Sequence, residues 1–239
     1  MIKIFCFLKR RPSADFYAFR EYFRGEFVRD VLASDPDRAI SRIVTNYVLE
    51  QNVRPPTNAD GHHWDAVAEV YVDDEQAAER LVNDRAFVAA HFVRPDMVIE
   101  ISHSVVLETT VIDQSPPLTA PKVFGFFRNS LPLGNPMSRE EMGRRWEEHV
   151  VRMREKGLGG LLTGFQQNRT LIPYHSVNPR YDYDGASIIW CESVEVSEQL
   201  YKSYEAEQAY IASSAEMGGT PGDCYYVRTD FVESYRRAG

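Results

Sequence analysis

The chain has 239 residues, 44% of them hydrophobic, and a formal net charge of −8. That is enough apolar material for an ordinary core, and the acidic balance argues against a general phosphate-binding surface and so against nucleic acid as a partner. No run approaches the roughly 20 apolar residues a membrane-spanning helix needs, and Met1-Ile2-Lys3-Ile4-Phe5 enters a strand without the pattern of a leader peptide, so a cytoplasmic protein is expected. Cys6, Cys191 and Cys224 are odd in number and widely spaced in strand-like sequence, which supports neither a disulfide framework nor a metal motif.

The first expected element is a strand over Lys3-Ile4-Phe5-Cys6-Phe7-Leu8-Lys9-Arg10. Its aromatic and aliphatic residues fall on both faces, as when one face packs on helices and the other lines an enclosed space. An amphipathic helix follows from Phe16 to Val31, with Phe16, Phe19, Phe23 and Phe27 forming a core-facing stripe. Next come a strand around Asn46-Tyr47-Val48-Leu49, a long turn-rich connection from Asn52 to Gly61, and a strand over Asp65-Ala66-Val67-Ala68-Glu69-Val70-Tyr71. An acidic helical stretch and a closing strand complete the unit. Residues 113–121 carry three prolines, which cannot serve in a central strand, and read as a linker with the boundary near residue 118.

The order then repeats. Lys122-Val123-Phe124-Gly125-Phe126-Phe127-Arg128-Asn129 answers to the first strand. Ser138 to Lys156 forms a second helix, opened by Ser138 and Glu141 at capping-box spacing, and Asn168-Arg169-Thr170-Leu171 matches the second strand. Asp184-Gly185-Ala186-Ser187-Ile188-Ile189-Trp190 matches the third. The expected fold is therefore α+β: two ferredoxin-like β-α-β-β-α-β repeats, residues 1–112 and 122–239, packed sheet to sheet as an intrachain α+β barrel.

These motifs in this order resemble the EthD-like members of the dimeric α+β barrel superfamily. The likeness is carried in the first half by Phe7-Leu8-Lys9-Arg10-Arg11-Pro12, Glu21-Tyr22-Phe23-Arg24 and Asn46-Tyr47-Val48-Leu49. In the second half it is carried by Arg145-Trp146-Glu147-Glu148-His149, Asn168-Arg169-Thr170-Leu171 and Asp184-Gly185. Members commonly carry a histidine on the first helix; the first copy has none there, and His149 sits one position early in the second. The resemblance implies chemistry ranging from isomerisation, cyclisation and dehydration to cofactor-free oxygenation and haem-dependent reactions, so the fold does not name the reaction.

No dinucleotide loop, Walker lysine motif or zinc-protease motif is present, which leaves cofactor-free acid/base chemistry, with no metal, in an aromatic-walled pocket. His149 is the first proton-transfer candidate, and His175, in the second connecting loop beside Tyr174 and Tyr181, is another. Tyr183 and Asp184 form an acid/base couple at the entry to the third strand; capping of that strand is the structural alternative, since Asp65 keeps the same place. Asn46 and Asn168 occupy matched positions, as do Tyr47 and Arg169. Strand alternation lets only one member of each adjacent couple face the interior, and the sequence leaves open which. An inward Arg169 would hold a substrate carboxylate. Lys9 and Arg128 match at the first strands' ends, where they would supply positive potential, and Trp190, matched to Tyr71, is a wall residue.

The leading expectation is a cofactor-independent lyase, decarboxylating or dehydrating a small aromatic or phenolic substrate such as a carboxylic acid. An isomerase or cyclase, a haem-dependent oxygenase or dismutase, and a non-catalytic binding protein are the alternatives. Self-association through strand edges or helices stays open.

Overall fold

The computed structural model describes residues 2–54, 64–90, 94–111, 120–127, 141, 144–148, 151, 163–170, 185–202 and 224–236. In chain order these form β1 (Ile2–Arg10), α1 (Phe16–Arg24), α2 (Glu26–Ala33), β2 (Ile40–Arg54), β3 (Ala66–Val72), α3 (Glu75–Asn83), α4 (Arg85–Ala90) and β4 (Val98–Val111). Then follow β5 (Lys122–Phe127), a helical stretch at 144–148, β6 (Gly164–Thr170), β7 (Gly185–Trp190), α5 (Val194–Lys202) and β8 (Cys224–Arg236).

The strands are hydrogen-bonded in a closed ring, β1-β3-β2-β8-β5-β7-β6-β4, and every neighbouring pair is antiparallel. Followed from β4, the ring runs β4-β1-β3-β2 and then β8-β5-β7-β6, so both halves repeat a fourth-first-third-second order. The joints are the β2–β8 and β4–β6 ladders.

Alternation along β1 divides two cores. Ile4, Cys6 and Leu8 point outward into a cluster with Phe19, Phe23 and Phe27 of α1 and α2 and with Ala77, Ala78 and Leu81 of α3. Phe5 and Phe7 point inward to meet Trp64, Val67, Phe124, Ile188 and Trp190. Phe5 and Phe124 lie on opposite sides of the ring and meet edge to face with centroids 6.1 Å apart, so their contact spans the interior.

The helix expected from Phe16 to Val31 is two helices. It breaks at Gly25 (φ −111°, ψ −74°), whose N–H still bonds Glu21 O at 3.0 Å; glycine is the weakest ordinary helix former, and it sits at the bend. Of the phenylalanine stripe, Phe19, Phe23 and Phe27 are fully buried while Phe16 is 41% exposed at the helix start. Caps fix the other ends. Asp15 accepts from Ala18 N at 3.0 Å to start α1, and Asp74 accepts from Ala77 N at 2.7 Å to start α3. The turn into β2 is held by Asp35, whose carboxylate accepts from Ala39 N and Ile40 N at 3.1 and 2.7 Å, with Arg38 in the left-handed region at φ 58°.

Candidate functional site

A short ion network lies on the inner face. Lys3, the second residue of β1, and Lys122, the first of β5, share the inward parity of Phe5 and Phe124, and Glu69 has the same parity in β3. All three are buried: Lys3 and Glu69 are 0% exposed and Lys122 is 1% exposed. The Glu69 carboxylate is saturated. Its Oε1 accepts from Lys122 Nζ at 2.7 Å and from Asn46 Nδ2 at 3.2 Å, and its Oε2 accepts from Lys3 Nζ at 2.9 Å and from Tyr71 OH at 3.1 Å. Lys3 also donates to Gln166 Oε1 of β6 at 2.8 Å. The lysine heads rest against rings: Lys3 Nζ is 5.0 Å from the Tyr71 centroid, and Lys122 Nζ is 5.8 Å from that of Trp190.

These contacts explain the titration of the network. Burial alone would push the Glu69 carboxyl up, but Lys122 and Lys3, as charges and as hydrogen-bond donors, hold it well below the usual carboxylate range. Burial pulls the Lys3 ammonium down to about 8; Glu69 opposes the fall and Lys122 adds to it. Tyr71 is raised by burial and by the facing Glu69 carboxylate, so it stays a hydrogen-bond donor. Two ammonium groups thus meet one carboxylate beneath an aromatic wall. That combination can hold an organic anion, stabilise an oxyanion and deliver a proton.

The side chains singled out in the sequence fall on both faces. Asn46, Asn168 and Trp190 are inward. Asn46 Nδ2 donates to Val67 O at 3.2 Å besides Glu69, and Asn168 Nδ2 donates to Ala186 O at 2.9 Å, so the matched asparagines each bond the neighbouring strand. Tyr47 is outward: its ring packs on Phe23 with centroids 5.6 Å apart, and its hydroxyl donates to Arg20 O. Arg169 is also outward, where Nη2 pairs with Glu147 of the 144–148 helix. The parity that turns Gln166 and Asn168 inward turns Arg169 away, so its guanidinium does not face the interior. Lys9 is half-buried at the end of β1, opposite Glu100. His149, His175, Tyr183, Asp184 and Arg128 lie outside the described residues. Asp65, matched to Asp184, accepts from Arg10 N at 2.9 Å and so tethers the entry to β3 to the end of β1.

Lys3, Lys122 and Glu69 were not singled out from the sequence as site residues, although a signal was there. The lysines open the repeated motif, and Glu69 is a lone carboxylate in the otherwise apolar run Ala66-Val67-Ala68-Glu69-Val70. Its match in the second copy is Ile188, so one acid serves both lysines. A haem would need an axial ligand. The six histidines all lie outside the residues whose side chains are described; the described inner face offers ammonium, carboxylate, amide, phenol and indole groups.

No protein-family model matches the sequence, and no curated protein matches it. Solved structures do match. An anthrone oxidase-like protein superposes with a TM-score of 0.62 at 10% identity, over 98% of this chain and 92% of that one. A mutant chlorite dismutase from Candidatus Nitrospira defluvii superposes with a TM-score of 0.51 at 10% identity, over 97% of this chain and 91% of that one. The chain has a ferredoxin-like α+β fold. At such identity the likeness is one of fold. Among the described residues, no helix is long and apolar enough to cross a membrane.

Proposed function

We propose that the chain is an enzyme, a cofactor-independent lyase that decarboxylates an aromatic or phenolic acid inside the strand ring. The observation that carries this reading is the buried Lys3–Glu69–Lys122 network at the foot of the aromatic wall. Lys122 Nζ anchors the substrate's anionic oxygen, while Phe5, Phe124 and Trp190 supply the apolar wall that excludes water. Lys3, whose ammonium burial pulls down to about 8, supplies the proton. The bond from ring to carboxyl carbon breaks, its electron pair stays on the ring carbon, and the proton from Lys3 Nζ takes the vacated position as carbon dioxide leaves. Water then reprotonates Lys3. Glu69 stays ionised and holds both ammonium groups in register, a positioning role. The repeated strand order and the motif likeness also support reading the chain as a tandem duplication of an EthD-like unit, with the acid kept in one copy only.

The test is a panel of benzoic and naphthoic acids, with carbon dioxide release and product mass followed in parallel. Lys3→Met is expected to lower kcat by about 100-fold or more, in line with loss of a general acid. The kcat profile of the wild type is expected to fall as pH rises through about 8, where Lys3 loses its proton, and Lys3→Arg to move that limb to higher pH. Carbon dioxide release that survives Lys3→Met unchanged would exclude this role for Lys3; a panel left wholly unconsumed would exclude decarboxylation.

A further inference from the structure

Lys3 and Gln166 stand 163 positions apart in the chain, on strands β1 and β6 that are separated in the ring by β4, yet their side chains meet: Lys3 Nζ donates to Gln166 Oε1 at 2.8 Å. The end of the amide that faces Lys3 is fixed by its partner, because exchanging oxygen and nitrogen would set an NH2 group against an ammonium. On its other side the same Nζ lies 2.9 Å from Glu69 Oε2. An amine, a carboxamide and a carboxylate thus converge on one point, and all three side chains are buried. The carbonyl carbon lies one bond, about 1.2 Å, beyond Oε1, so a turn of the amide is enough to present its face to Nζ. Groups held in this way react with the large rate advantage of an intramolecular step. An ammonium does not attack a carbonyl, but burial pulls Lys3 down to about 8, while Glu69 opposes the fall and Lys122 adds to it. A buried lysine of this kind gives up its proton more readily than an exposed one and becomes a nucleophile.

We propose that Lys3 and Gln166 join autocatalytically in an isopeptide bond, a covalent modification that staples β1 to β6 with loss of ammonia. Glu69 moves the protons. It takes one from Lys3 Nζ; the nitrogen lone pair then attacks Gln166 Cδ, and the carbonyl electron pair moves onto Oε1. As that pair returns, the Cδ–Nε2 bond breaks and Glu69 hands its proton to Nε2. A second proton leaves the new amide nitrogen by the same route, so ammonium departs and Glu69 is ionised again. Glu69 holds each proton only in passing, because Lys122 at its other oxygen favours the carboxylate. The overall change is an ammonium and a primary amide to a secondary amide and an ammonium ion; nothing is oxidised or reduced, and no co-reactant enters. Lys3 belongs to the first repeat and Gln166 to the second, so the bond ties the two halves across the β4–β6 joint and shrinks the freedom of the unfolded chain. It also consumes the amine assigned above to proton delivery: the free amine is the working form and the amide an inactive, stapled one.

The experiment is the intact mass of the full chain, denatured after incubation above and below the Lys3 pKa of about 8, followed by tryptic mapping. The wild type is expected to become lighter than its sequence mass by one ammonia, faster on the alkaline side, and to yield a peptide in which residues 1–9 are joined to residues 157–169. Fragmentation of that peptide separates attachment at Gln166 from attachment at Gln167. Lys3→Arg, which keeps the buried charge, and Gln166→Met are each expected to retain the full sequence mass. Glu69→Gln is expected to slow the loss by about 100-fold or more, the scale of a missing proton-transfer group. A wild-type mass that stays unchanged on prolonged alkaline incubation overturns the proposal, as does a loss that survives Gln166→Met. The decarboxylation reading fails separately: a joined chain that releases carbon dioxide undiminished upholds the bond and removes Lys3 as the acid, and carbon dioxide release from a chain of full, unchanging mass does the reverse.

Discussion

Both faces of β1 are buried, yet they treat charge in opposite ways. Outward, Ile4, Cys6 and Leu8 join a cluster made of aliphatic and aromatic side chains against α1, α2 and α3. Inward, Phe5 and Phe7 share their face with Lys3, whose ammonium is held by Glu69 and Gln166. The outer face follows the rule that apolar burial stabilises, at roughly 1.5–3 kcal/mol for a fully buried large side chain. The inner face departs from it. A buried ion network gains little net stability because desolvation of each charge offsets the attraction, so stability alone does not explain its place at the centre of the ring. What the network supplies is a fixed, water-poor field.

The sharpest way to break this comparison is Glu69→Leu, which leaves two ammonium groups buried without their carboxylate. A loss of about 3–5 kcal/mol is expected in urea unfolding, the scale for removing one partner of a buried pair. Replacing the whole network at once, Lys3→Met with Glu69→Leu and Lys122→Met, is expected to recover that loss or exceed it by about 1–4 kcal/mol while abolishing turnover. A triple variant as unstable as Glu69→Leu alone would show the network to be structural.

A smaller effect follows from titration. The Lys3 pKa lies below its ordinary value of 10.5, at about 8, so between these limits the unfolded chain binds more protons than the folded one, and the Lys3 contribution to stability rises with pH over that window. Glu69 is depressed from 4.5, so its contribution is present above that pH and is lost on acidification below it. Subtracting the melting curves of Lys3→Met and Glu69→Gln from that of the wild type at each pH isolates the two slopes; a flat difference across both windows would contradict the buried charges. The smallest effect belongs to the periphery. Asp74→Ala removes the cap on α3 and is expected to cost about 1 kcal/mol, with no change in ligand affinity, since the cap lies on the outer, helical side.

Much of this was legible in the order of residues. The opening motif, its return at Lys122 and the alternation in each strand gave the α+β class, and a first strand buried on both sides was readable from apolar residues at consecutive positions. Asn46, Asn168 and Trp190 were readable as matched positions of interest. Facing was not: Asn46 and Tyr47 are adjacent and equally plausible inside, and a one-residue choice of register sends either one to the helices. Nor did periodicity mark Gly25 as a break, because the phenylalanine spacing continues across it.

The sequence by itself determined the succession of strands and helices, the apolar character of both sheet faces and the lack of cofactor-binding motifs, because these depend on local periodicity and composition. The tertiary structure alone decided that Lys3, Glu69 and Lys122, separated by tens of residues in the chain, share one carboxylate, and that Arg169 turns outward to Glu147. Closing the strands into a ring sets β1, β3 and β5 around one interior. Charges that stand in separate strands of the sequence thereby become a buried network whose strength comes from the exclusion of water.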